Sequence, residues 1–120
     1  MEKLFLKNYI LFVIGVLFCI LYDISFLQAQ IFSVNTSREL QIALYEAEDN
    51  EENDIIQVAQ GTYYGNFIYA TVKKHGITLK GGYTSDFLSR STDAENTILD
   101  GNNNKRTFTI HKGSEGVIII

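Results

Sequence analysis

The sequence predicts an all-β solenoid, a parallel β-helix closed at its start by one α-helix, and three observations carry that expectation. Isoleucines recur at Ile56, Ile77, Ile98 and Ile119, at intervals of 21 residues, and Val58 and Leu79 share the interval. A second apolar track, Phe67, Phe87 and Phe108, follows about half a period out of step. A single amphipathic helical stretch precedes both tracks. Repeats of this length cannot bury an apolar face alone and stack on their neighbours instead. At roughly 3.3 Å per extended residue, one repeat makes a circuit of short strands and turns, with equivalent positions about 4.8 Å apart on successive circuits. The isoleucines are then expected to form an internal ladder.

Residues 1–29 read as a signal peptide. Lys3 and Lys7 form a positive n-region, Tyr9 to Leu21 is an unbroken apolar run, and Leu27-Gln28-Ala29 sets a small residue before a cut at Ala29/Gln30. A membrane-spanning helix needs about 20 apolar residues, and this run is bounded by Lys7 and Asp23, so membrane contact is expected only through an uncleaved leader. Cys19 is the single cysteine and lies inside the run, which leaves the cleaved product without a disulfide. Phe18, just before it, argues against lipidation. Export without cysteines points to the exterior of a bacterial envelope, secreted or surface-held. A formal charge of −4 offers no basic field for nucleic acid.

Residues 30–54 form the expected cap. Ile31 to Val34 reads as a short strand, and Thr36 with Glu39 makes a capping box that starts a helix over about 36–48. Leu40, Ala43, Leu44 and Ala47 recur at helical spacing, so one face lies on something apolar. The helix should cover the open end of the first coil. Asp49 to Asp54 contains no apolar residue and reads as an exposed loop.

Residues 55–120 are expected to hold the first coils. The runs Ile55 to Ala59, Asn66 to Val72, Gly76 to Lys80, Thr97 to Asp100, Thr107 to His111 and Val117 to Ile120 are rich in β-branched and aromatic types, and there is no proline. Glycine and asparagine fill the gaps, where left-handed backbone is needed. An α/β sheet fits only the first strand–helix–strand unit. The eighteen residues from Ala59 to Gly76 carry no helical stripe and are too few for a βαβ unit of about 30. Val117 to Ile120 ends the sequence as an uncharged β-run of the kind that invites strand addition, from which the chain is expected to be incomplete.

The stretch Asp54-Ile55-Ile56-Gln57-Val58-Ala59-Gln60-Gly61-Thr62-Tyr63, followed by Ile77-Thr78-Leu79-Lys80-Gly81-Gly82-Tyr83 and Thr97-Ile98-Leu99-Asp100-Gly101, resembles the N-terminal coils of bacterial right-handed β-helix proteins of the pectate lyase-like superfamily. Glu39-Leu40-Gln41 with Ala43-Leu44 resembles their capping helix. The resemblance implies a right-handed coil and either a surface protein of adhesin type or the start of a polysaccharide lyase or glycoside hydrolase whose catalytic coils lie further on. Asp100 departs from it, falling where Val58 and Leu79 call for an inward apolar residue. Either Leu99 takes the inward place or the strand turns early.

No catalytic, cofactor or metal residues are assigned. Asp86, Asp93 and Asp100 do not form the facing pair that glycoside hydrolysis needs. The acidic run Glu46, Glu48, Asp49, Glu51, Glu52 and Asp54 supplies oxygen ligands of the kind Ca²⁺ takes, but without EF-hand spacing, so a solvated loop is the plainer reading. Asp100 to Asn104 reads as a tight turn. His75 and His111 lack metal-ligand partners and read as surface residues. Tyr63, Tyr64, Tyr69 and Tyr83 are the candidate glycan contacts, because flat aromatic faces stack on sugars, against the alternative that they pack at strand corners. The expected function is an exported, non-catalytic scaffold that adheres to polysaccharide or cell-surface glycan.

Overall fold

The computed structural model describes residues 2–22, 28–103, 106–113 and 118–120. The 23–27 part of the expected leader, Asn104 of the turn, and Gly116 and Val117 lie outside the described residues. Within them the elements run α1 (Glu2–Tyr22), β1 (Ile31–Val34), α2 (Ser37–Asp49), β2 (Asp54–Ala59), β3 (Gly61–Tyr64), β4 (Phe67–Thr71), β5 (Ile77–Tyr83), β6 (Thr97–Asp100), β7 (Phe108–Lys112) and β8 (Ile118–Ile119). The molecule is extended, 82 × 34 × 21 Å. Glu2, Lys3 and Lys7 occupy the first two turns of α1, and Leu4 to Phe18 hold its exposed apolar side chains. Among the described residues no helix is long and apolar enough to cross a membrane.

All strand pairs of the sheets are parallel. They form a four-stranded sheet in the order β1-β2-β5-β8 and two two-stranded sheets, β3-β6 and β4-β7. Inward residues alternate along β2 and β4 in the strand period of two: Asp54, Ile56 and Val58 on β2, then Phe67, Tyr69 and Thr71 on β4, are all buried. Val34, Tyr63 and Ile77 join them, and Phe32, Leu79, Leu99 and Phe108 pack on the margin of this core.

Helix α2 forms where the capping box places it. Thr36 Oγ1 accepts from Glu39 N at 3.2 Å, and Glu39 Oε2 accepts from Thr36 N at 3.1 Å. Leu40, Ala43, Leu44 and Ala47 are buried against the sheet core. Full burial of the two leucines contributes about 1.5–3 kcal/mol each. The helix also completes strand edges with polar side chains. Gln41 bonds both backbone groups of Ile68, donating Nε2 to its carbonyl and accepting its N–H, each at 3.1 Å. Glu48 Oε1 accepts from Ala70 N at 2.7 Å, and Ser37 Oγ accepts from Tyr64 N at 2.9 Å. A parallel strand would offer the same groups, so α2 finishes an edge that would otherwise be open to another chain.

The solenoid is not what the chain forms. The fold is mixed α/β, with three small parallel sheets that do not close on themselves, and strand register overturns the isoleucine ladder. Ile56 lies beside Leu79, and Ile77 lies beside Asp54 on one side and Ile118 on the other. Ile98 pairs with Thr62 in a different sheet and is 47% exposed, while Ile119 lies beside Thr78. Equal spacing in sequence therefore does not stack. The stretch between β5 and β6, residues 84–96, is far longer than the single residue Gln60 between β2 and β3, so successive passages of the chain differ nearly twofold in length. The second track fails in the same way: Phe67 pairs with Phe108, but Phe87 sits in a loop at φ 59°.

Two local expectations also change, and one left open is decided. β3 falls where the sequence suggested only a turn and a tyrosine pair. Asp54, the last of the acidic run, is a strand residue 1% exposed, its carboxylate accepting from Asn50 Nδ2 at 2.7 Å and from Gln30 N at 3.3 Å. At Asp100 the structure takes the register in which Leu99 packs on the core margin and Asp100 is exposed.

Candidate functional site

The four tyrosines expected at a glycan surface divide evenly. Tyr63 and Tyr69 are 1% and 0% exposed, because both occupy inward strand positions, and neither ring faces solvent. Tyr63 Oη donates to Ala59 O at 2.9 Å, with Val34 O the second acceptor at 3.3 Å. Tyr69 Oη makes no well-formed hydrogen bond, although the Thr71 side chain lies close enough to oppose the upward shift of its phenol. Burial pushes both phenols above their ordinary value; the nearby carboxylate of Glu39 adds to this for Tyr63, and those of Asp54 and Glu48 for Tyr69. Tyr64 is exposed on β3, and Tyr83 is half-buried at the end of β5.

Tyr83 is the tyrosine built into a fixed surface. The Arg90 guanidinium lies over its ring at 5.8 Å, within cation–π range, and Phe87 leans against it with ring centroids 6.1 Å apart and planes tilted by 40°. The loop that carries Phe87 and Arg90 is closed by Thr84 N to Ser89 O at 3.0 Å and by Phe87 N to Thr84 O at 2.9 Å. Thr84 Oγ1 donates to Asp86 Oδ1 at 2.5 Å, and Leu88 N donates to the same oxygen at 3.1 Å. These two bonds, the hydroxyl's first, hold the Asp86 carboxyl below its ordinary value. Phe87 keeps a left-handed backbone that costs a non-glycine residue about 1–2 kcal/mol. Where such strain is held in place, it marks a loop whose geometry is over-determined.

The base of the loop is anchored just as tightly. Arg90 Nε donates to Gly81 O at 2.8 Å, and Ser91 N donates to Gly82 O at 2.9 Å. Gly82 is at φ +88°, and a Cβ there would stand 1.8 Å from Ser91 O, so no other residue fits. The Gly81-Gly82 pair, legible in the sequence as a turn, instead lets a returning strand lie against β5. Sequence reasoning found Tyr83 but missed Arg90, and it read Phe87 as a core residue.

The remaining candidates do not converge. His111 is exposed, whereas His75, expected at the surface, is 7% exposed, with neither ring nitrogen bonded. Asp86 and Asp93 are exposed and tied into local turns. Among the described residues no group of three His, Cys, Asp or Glu side chains is placed to hold a metal ion. In the turn after β6, Asn102 and Asn103 take positive φ, and Asp100 Oδ1 accepts from Asn102 N at 2.8 Å, as the turn reading requires.

No family model, no curated protein and no solved structure matches this chain.

Proposed function

We propose that this chain is an exported, non-catalytic surface protein that binds glycans through the Tyr83–Phe87–Arg90 loop. The observation that carries the reading is the clamped Tyr83 ring. A sugar ring gains from an aromatic face that is already ordered, because the side-chain entropy of positioning it is spent in folding rather than in binding. Arg90 uses Nε to hold the loop at Gly81 O, which keeps the planar guanidinium beside the ring, in a geometry suited to hydroxyl or carboxylate oxygens. Export rests on the layout of Lys3, Lys7, the apolar run and Ala29. A binding role, rather than a hydrolytic one, is favoured because Asp86 and Asp93 are each engaged in a separate turn.

The test is binding of the full chain to a panel of immobilised neutral and acidic oligosaccharides. Tyr83→Ala and Arg90→Ala are each expected to weaken the best ligand about five- to tenfold, the scale of one aromatic or cation–π contact. Binding that survives Tyr83→Ala at full strength would assign the surface elsewhere. N-terminal sequencing of the product released by expressing cells checks the export part, with Gln30 the expected first residue.

A further inference from the structure

A cavity of about 440 Å³ opens between β5 and β6, beside the segment 90–94 that returns from the Tyr83 loop. It reaches the core at Val58, 1% exposed, and Leu79, Leu99 and Ile120 complete its apolar wall. Leu79 and Leu99 lie on the margin of the core and Ile120 is exposed, so this apolar surface is only partly covered. The charged groups of the lining all come from the returning segment: Arg90 and Asp93. Arg90 Nε donates to Gly81 O at 2.8 Å, which leaves its two Nη groups as donors. Asp93 Oδ1 accepts from Glu95 N at 3.1 Å, which leaves Oδ2 as an acceptor. The two side chains form no ion pair with each other. Ser91 between them is held to the sheet, its N–H donating to Gly82 O at 2.9 Å.

A ligand seated here meets an apolar wall and, at one edge, a guanidinium and a carboxylate three residues apart. A simple anion would suit Arg90 and be repelled by Asp93, and a simple cation would meet the reverse. A zwitterion satisfies both. The planar guanidinium fork matches a carboxylate, and the Asp93 oxygen matches an ammonium. The cavity volume falls within the range of small-molecule sites. We propose that this cavity binds a free apolar α-amino acid of about leucine size, its carboxylate on Arg90, its ammonium on Asp93 and its side chain against Val58, Leu79 and Leu99. The inference does not rest on glycan binding: Arg90 is common to the two surfaces, but Tyr83 does not line this cavity.

Leucine, valine, glycine, N-acetyl-leucine and leucinamide serve as probes at pH 7, read by calorimetric titration and by the thermal unfolding of the full chain. Leucine is expected to bind and raise Tm, as any ligand of the native state does, while glycine, without the apolar body, does neither. Valine, one methylene shorter, should bind about fourfold more weakly. N-acetyl-leucine lacks the ammonium and leucinamide the carboxylate, and each should bind about five- to tenfold more weakly than leucine. Two variants assign the charges. Arg90→Gln should weaken leucine but leave leucinamide unchanged, and Asp93→Asn should weaken leucine but leave N-acetyl-leucine unchanged. Damage to the loop itself would instead weaken every probe alike. Tyr83→Ala should leave leucine binding intact while the oligosaccharide panel reads the other surface. The proposal is overturned if leucine does not bind, if glycine binds as well as leucine, or if either charge variant weakens leucine and its matched analogue equally.

Discussion

Replacing Tyr63 and Tyr69 by phenylalanine removes the same atom from two equally buried rings and should have opposite effects. Tyr63 Oη donates its single proton to Ala59 O at 2.9 Å, and Ala59 O keeps only a long contact from Thr97 Oγ1 at 3.4 Å once that bond is gone. A net hydrogen bond is worth about 0.5–1.5 kcal/mol, and an abandoned buried acceptor adds to the loss, so Tyr63→Phe should cost about 1–2 kcal/mol. Tyr69 Oη makes no well-formed hydrogen bond, the Thr71 side chain offering only a weak one, and a buried hydroxyl left largely unsatisfied costs about 1–3 kcal/mol on the scale of protein mutations. Tyr69→Phe should therefore be neutral or stabilising by about 1 kcal/mol. The measurement is urea denaturation followed by circular dichroism, comparing midpoints at unchanged slope. Alkaline titration gives an independent arm. Both phenols are raised above 10.0, so their contribution is fully present below pH 10 and is lost as pH rises through the raised values. Each phenylalanine variant should flatten part of that alkaline loss. A Tyr69→Phe variant that loses 1 kcal/mol or more would refute the reasoning, since it would make the weak Thr71 contact a full hydrogen bond.

Three further outcomes follow from register, sterics and charge. Ile56→Asp should abolish folding, because Ile56 is fully buried, whereas Ile98→Asp, at a 47% exposed site, should cost about 1 kcal/mol or less; equal effects, read by circular dichroism, would restore the ladder that register rejects. Gly82→Ala should displace the returning segment at Ser91 and weaken the proposed glycan binding without unfolding the α2 end of the molecule, which native-state hydrogen exchange at Leu40 and Leu44 would check. Because the Asp86 carboxyl is held below its ordinary 3.8, the loop's contribution is present above that pH and is lost as pH falls through the lower folded value. The proposed binding at Tyr83 should therefore be constant from pH 7 to 5 and fall only below about 3.8, whereas Asp86→Asn should remove that acid limb.

The helix and most strands were legible in the sequence because their causes are local. A capping box at Thr36 and Glu39, a stripe from Leu40 to Ala47 and β-branched runs act within a few residues, and α2 and all seven expected strands lie within three residues of their expected positions. The candidate site was legible only as a tyrosine beside two glycines. Arg90 meets Tyr83 across a loop whose closure depends on Thr84, Asp86 and Ser89 together, and no spacing in the sequence announces that. His75 and Asp54 look like surface residues by type, and only the packing around them shows otherwise.

By itself, then, the sequence determined which segments extend, which one coils and which face of the helix is apolar. Tertiary structure decided which strands are neighbours. The isoleucine interval suggested a uniform ladder, but pairing depends on the length of chain spent between strands, and the long excursion from Thr84 to Asn96 shifts every later partner. Ile98 therefore stands in a different sheet from Ile56 and Ile77 and faces solvent. Side-chain period is a local property of the backbone, whereas register is set by loop length and by the groups that close strand edges, among them Gln41 and Glu48 reaching from α2.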